Sequence, residues 1–191
     1  MFFKIVQDEN PIDPREWGIN YNVSQFVLFH KRYSLPCEID IDPYEFDSYS
    51  EMGEALSKEY PVVIPVYAYE HGGMTIRAHS FSCSFDSGQI GFVVVSEATI
   101  KREYGDVSPK TIDDATAMAM AELKEYNQYL TGDVWGYYIM EKKTCDLGCE
   151  HEVELDSCFG FYGEENAIDE AERAFKYYKN INKLKEMATE N

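Results

Sequence analysis

PVVIPVYAYEHGGMTIRAHSFSCSF, residues 61–85, runs straight into DSGQIGFVVV, residues 86–95. Apolar and β-branched residues carry the chain to Glu70, His71-Gly72-Gly73 reverses it, and Met74 opens a second run, so the segment predicts a β-hairpin. IGFVVV at 90–95 predicts a third strand, and three strands in succession predict a meander. Asp86, Ser87 and Gly88 predict the turn before it: Asp and Ser bond the local backbone, and Gly takes a positive φ at little cost.

Outward toward the N-terminus, Ser48 or Ser50 caps a short helix through Lys58, VSQFVLFHKRY at 23–33 predicts a strand, and Phe2–Val6 predicts another. Asn10-Pro11 and Asp13-Pro14 mark a loop between them. Toward the C-terminus, SEATIKREYG predicts a capped helix ending at Gly105. Ile112, Ala115, Ala119, Leu123, Tyr126 and Leu130 recur at helical spacing and predict a helix over about 111–130. VWGYYIMEKK and EHEVELDSCFGFYG predict two strands, and Ile168, Ala171, Phe175, Tyr178 and Ile181 a final helix over about 165–188. The expectation is one α+β domain over 1–191: an antiparallel sheet of about five to seven strands with about four helices mainly on one face.

The chain has 35 acidic against 17 basic side chains, a formal charge of -18. That charge repels nucleic acid and anionic membrane, so direct nucleic-acid and membrane partners are not expected and a basic protein partner is. MFFKIVQDEN turns polar too soon for a signal peptide, no apolar run reaches membrane-spanning length, and five cysteines suit reduced thiols; the expected location is cytoplasmic.

Three stretches bring an Asp near a glycine flanked by aromatics: DSGQIGF at 86–92, TGDVWGY at 131–137 and LDSCFGF at 155–161. Glycine inside a strand marks a bulge or a close approach, and if the strands were neighbours Asp86, Asp133 and Asp156 would converge into a carboxylate cluster suited to Mg²⁺ and hydrolysis. Cys145, Cys149, His151 and Cys158 offer soft zinc ligands, but C-x3-C is not the common knuckle spacing. His30 and His79 lie in strand-like runs and read as packed or edge residues. Phosphate-binding, dinucleotide and nucleophile-elbow motifs are absent, so neither a catalytic residue nor a cofactor is expected.

FSCSFDSGQIGFVVVS, EYNQYLTGDVWGYYI and LDSCFGFYG, in that order between about 80 and 163, together resemble a family of uncharacterised proteins encoded by bacteriophages and prophages. The resemblance implies a phage-type accessory protein, with no catalytic residue to carry over. Small accessory phage proteins often act by binding and blocking a host protein, commonly one of a defence system, and acidic ones sometimes do so by imitating nucleic acid.

The charge pattern points the same way. In CEIDIDPYEFD the acids Glu38, Asp40 and Asp42 alternate with Ile39 and Ile41, and in CEHEVELDS Glu150, Glu152, Glu154 and Asp156 alternate with His151, Val153 and Leu155. In extended segments these carboxylates stand about 6.6 Å apart along one face, a spacing like that of backbone phosphates. The expected function is therefore a non-enzymatic inhibitor of a basic, nucleic-acid-handling host protein, active in the host cytoplasm. The alternatives are a small metal-dependent hydrolase or nuclease built on the three Asp residues, and a binder that sequesters a small signalling molecule.

Overall fold

The computed structural model describes residues 1–16, 22–83 and 85–189, with side chains to residue 181. Among them are seven strands and four α-helices in two antiparallel sheets, the α+β class expected. The order is β1 (Phe2–Gln7), β2 (Gln25–Leu28), α1 (Tyr49–Glu59), β3 (Val62–Glu70), β4 (Met74–Arg77), β5 (Ser87–Val95), α2 (Glu97–Tyr104), α3 (Pro109–Thr131), β6 (Val134–Thr144), β7 (Glu150–Tyr162) and α4 (Glu164–Thr189). Where the sequence reads as one domain, the chain falls into two compact units, Asp13–Thr131 and Met1–Ile12 with Gly132–Asn191.

In the Asp13–Thr131 unit the strand order is β2-β5-β3-β4, which corrects the meander. β3 and β4 form the expected hairpin, but β5 pairs with the other side of β3, from Val62↔Val95 to Tyr69↔Ser87. β4 ends at Arg77, and the connection to Ser87 is long enough to carry the chain past the end of β3. β5 is thus central and covered on both faces, and its apolar run reflects burial on two sides. Val93 and Val95 pack with Ile100 of α2 and Ala115, Ala119, Leu123 and Tyr126 of α3. Phe92 and Val94 pack with Met52 and Leu56 of α1 on the opposite side.

The expected turn at 86–88 is also corrected. Ser87 and Gly88 already belong to β5, Gly88 has no positive φ, and a Cβ there would meet nothing within 4 Å. The demanding glycine is Gly91, at φ 148, where an ideal Cβ would lie 1.9 Å from the Val27 carbonyl oxygen. Val66 pairs with Gly91 while Tyr67 pairs with Gln89, so Ile90 is the extra residue of a bulge.

In the other unit β6 lies between β1 and β7, and α4 covers one face. Phe3, Ile5, Tyr137, Ile139, Leu155 and Phe161 pack there against Ala171, Phe175 and Tyr178. The β6–β7 ladder slips twice, between Trp135 and Tyr137 and between Ile139 and Met140. Gly160, at φ 85, sits at the first slip, and Phe159 lies across Gly136, where a Cβ would come within 2.3 Å of its ring. The glycine-rich strand starts are therefore explained by bulges.

Candidate functional site

The three aspartates do not converge. Asp133 precedes β6 and accepts the Trp135 Nε1–H at 2.7 Å, whereas Asp156 pairs with Ile139 on β7. Six residues of strand, roughly 20 Å, separate those levels of the ladder. Asp86 belongs to the other unit. Among the described residues no three His, Cys, Asp or Glu side chains group so as to hold a metal ion, Cys145, Cys149, His151 and Cys158 included.

The first acidic row dissolves into structure. Ile39 and Ile41 do turn inward against the α1 cluster, but Glu38 is a pin rather than an exposed acid. Arg15, whose side chain is 7% exposed, donates from Nε at 3.0 Å and from Nη2 at 2.6 Å to the two Glu38 oxygens. Glu38 also accepts the Phe26 N–H at 2.6 Å. The same guanidinium donates at 3.1 Å to Glu122 of α3, which in turn accepts the N–H groups of Val23 and Ser24 at 2.6 and 3.0 Å. Asp42 accepts the Tyr44 N–H at 2.9 Å and caps the 3-10 turn Pro43–Glu45. Of this row Asp40 is left as an exposed carboxylate with no such role.

The second row survives in shortened form. Glu150, Glu152 and Glu154 pair with Thr144, Lys142 and Met140 and are exposed on β7, an edge strand. Lys4 reaches Glu152 at 2.5 Å, so the middle carboxylate is neutralised. Asp156 leaves the row, because Leu155 is the extra residue of the second bulge and Asp156 comes to lie opposite buried Ile139 on the α4 side. There it adds to burial in raising the phenol pKa values of Tyr137 and Tyr178. The face away from α4 carries, by strand alternation, Phe2, Tyr138, Met140 and Phe159 beside the glutamates.

A cleft in the Asp13–Thr131 unit was not visible in the sequence. The expected strand at 23–33 stops at Leu28 because His30 organises a loop. His30 Nδ1 accepts the N–H groups of Arg32 and Tyr33 at 3.2 and 3.3 Å, and Nε2 lies 2.8 Å from Glu70 at the end of β3. With Nδ1 accepting, Nε2 carries the proton and donates to Glu70. Arg32 holds the other Glu70 oxygen. Burial pushes the Glu70 carboxyl up, but the His30 hydrogen bond and the Arg32 charge outweigh it and hold its pKa below the ordinary value.

Two adjoining cavities flank this loop, of about 520 and 660 Å³, within the size range of small-molecule sites. The first is lined by Glu70, Asp86, Ser87 and Gln89, the second by Tyr33, Tyr44, Phe46 and Met52. Phe29, His30, Lys31 and Tyr49 line both. Asp86 thus lines a cleft, with His71 Nδ1 and Cys83 Sγ each 3.9 Å from its carboxylate, beyond the length of a strong charge-assisted bond. The arrangement can hold a ligand, and the Cys83 thiol donates a long hydrogen bond to the Asp86 carboxylate on its wall. Phe29 and Tyr33 flanking the run His30-Lys31-Arg32 are the local sequence signal of this loop. No family model, no curated protein and no solved structure matches this chain.

Proposed function

We propose that this is a non-enzymatic, phage-type binding protein that engages, and by engaging blocks, a basic nucleic-acid-handling host protein through the open face of its three-stranded sheet. The observation that supports this reading is the exposed Glu150 and Glu154 beside Phe2, Tyr138, Met140 and Phe159, on the face opposite α4. Apolar surface ringed by charge is how interfaces combine affinity with orientation, and a chain of charge -18 steers basic partners toward itself. Imitation of nucleic acid narrows to these two carboxylates, since Lys4 and Lys142 interrupt a continuous phosphate-like row.

The test begins with affinity capture of the target from host cells, followed by calorimetry. Changing Glu150 and Glu154 to Gln should weaken binding roughly three- to tenfold at low salt and flatten its salt dependence, with folding intact. Unchanged affinity and salt slope would remove the reading.

The paired cavities favour a second reading, capture of a small molecule in the His30 cleft. Tyr44 is 94% exposed on its wall, so Tyr44→Ala should leave stability alone while lowering any ligand-induced rise in melting temperature. A metabolite screen in which no compound shifts the melt of the unmodified protein counts against it.

A further inference from the structure

We propose that Cys145 and Cys149, facing each other across the tip of the β6–β7 hairpin, are a dithiol pair that hydrogen peroxide converts to a reversible intramolecular disulfide. This goes beyond the binding function and does not rest on it. Thr144 and Glu150 are the last paired residues of the two strands, and Cys145 and Cys149 are the next pair inward. Cys145 N–H donates to the Cys149 carbonyl at 2.9 Å, and Gly148 N–H donates to the Cys145 carbonyl at 2.8 Å. Gly148 has φ 82, the left-handed position that closes a three-residue turn, Asp146-Leu147-Gly148, with a bulge at its end.

That turn fixes the two cysteines in register. Residues opposed in this way have Cα atoms about 5.5 Å apart, inside the window of about 4.4–6.8 Å that a disulfide spans. The Cys149 side chain is near enough to hydrogen-bond the Cys145 sulfur. Backbone hydrogen bonding at Leu147, then at Cys149, together with that thiol holds the Cys145 pKa below the ordinary value, so more of it is thiolate. Burial moves Cys37 the other way. The site is also open, with Cys149 exposed and Leu147 between the pair 90% exposed.

The chemistry balances with peroxide as the oxidant. The Cys145 thiolate attacks one peroxide oxygen, the O–O bond breaks, and Cys145 becomes a sulfenic acid with release of one water. The Cys149 thiolate then attacks that sulfur, the S–O bond breaks, and a second water leaves. Two thiols have given up two electrons and two protons, and one peroxide has become two waters. An uncharged oxidant suits the location: Asp146, Glu150 and the net charge of -18 repel the anionic glutathione disulfide.

The full-length reduced protein, treated with a small excess of hydrogen peroxide and then alkylated, provides the test. Before alkylation the intact mass should fall by about 2 Da, and after it peptide mapping should place one disulfide at Cys145–Cys149, with Cys37, Cys83 and Cys158 still alkylated, reversed by dithiothreitol. Cys149→Ser should leave a sulfenic acid at Cys145 that dimedone traps. Cys145→Ser should slow oxidation of Cys149 to the rate of Cys37 and Cys158. A first disulfide at any other pair overturns the proposal. So does alkylation of both Cys145 and Cys149 after Cys37 has been oxidised.

Discussion

Gly88 and Gly91 are separated by two residues and have opposite meanings. A Cβ at Gly91 would enter the Val27 carbonyl at φ 148, so β2 and β5 must part to admit it. Gly91→Ala should therefore cost on the order of 3 kcal/mol or more in chemical denaturation, while Gly88→Ala, in open strand, should stay within about 0.5 kcal/mol. Asp-Ser-Gly is turn vocabulary and points to a positive φ at Gly88, which is absent, whereas the strand glycine that marks a bulge and a close approach is Gly91; that Ile90 bulges is decided by β3, some 24 residues upstream. Glu70 supports a second residue-scale prediction. Its folded pKa is lowered, so its contribution is complete above the unfolded carboxylate value and is lost as pH falls through the folded value. Glu70→Gln should give lower stability near neutral pH and a shallower acid limb below about pH 4.3, measured by denaturation across pH. An acid limb identical to that of the unmodified protein would show that the His30–Arg32 cluster carries no such linkage.

Between elements, the Arg15 guanidinium ties the segment before β2 to Glu38 on one side and to α3 through Glu122 on the other. All three side chains are at most 18% exposed, and a charge left there without its partner is costly. Arg15→Leu should destabilise by about 3–5 kcal/mol, and adding Glu38→Gln should recover part of that loss in a double-mutant cycle. Simple additivity of the two changes would mean the pair is not coupled. The alternation of Glu38 with Ile39 and Ile41 predicts a row of exposed carboxylates, but the partners that bury Glu38 are remote, since Arg15 lies 23 residues from Glu38 and 107 from Glu122, beyond any local pattern. The helices were legible almost to the residue because their signals are local: Ser48 and Ser96 accept from Glu51 and Thr99, and Gly105 closes α2 at φ 89. Strand partners were not, since β3 offers two equivalent edges and β5 took the one the hairpin left free.

At the scale of the molecule, the Asp13–Thr131 unit is continuous in sequence, whereas its companion is assembled from both ends of the chain. The continuous unit has its own sheet, three helices and two apolar clusters. A fragment of residues 13–131 should therefore unfold cooperatively by itself, and a broad, non-cooperative melt would refute that. Pro11 and Pro14 flank the junction near residue 12 and Gly132 stands at the other, but a unit built from both ends leaves no shift of composition along the chain, so the sequence reads as one domain.

The pairing of β1 with β6 also sets a timetable during synthesis. β1 leaves the ribosome first, but its partner begins at Val134, about 125 residues later. At ordinary translation rates that is a wait of roughly 6–25 s, during which the intervening unit has time to fold while Phe2, Phe3, Ile5 and Val6 remain unpaired. The nascent chain thus carries β1 as an unpaired, largely apolar segment until β6 has emerged to take it up.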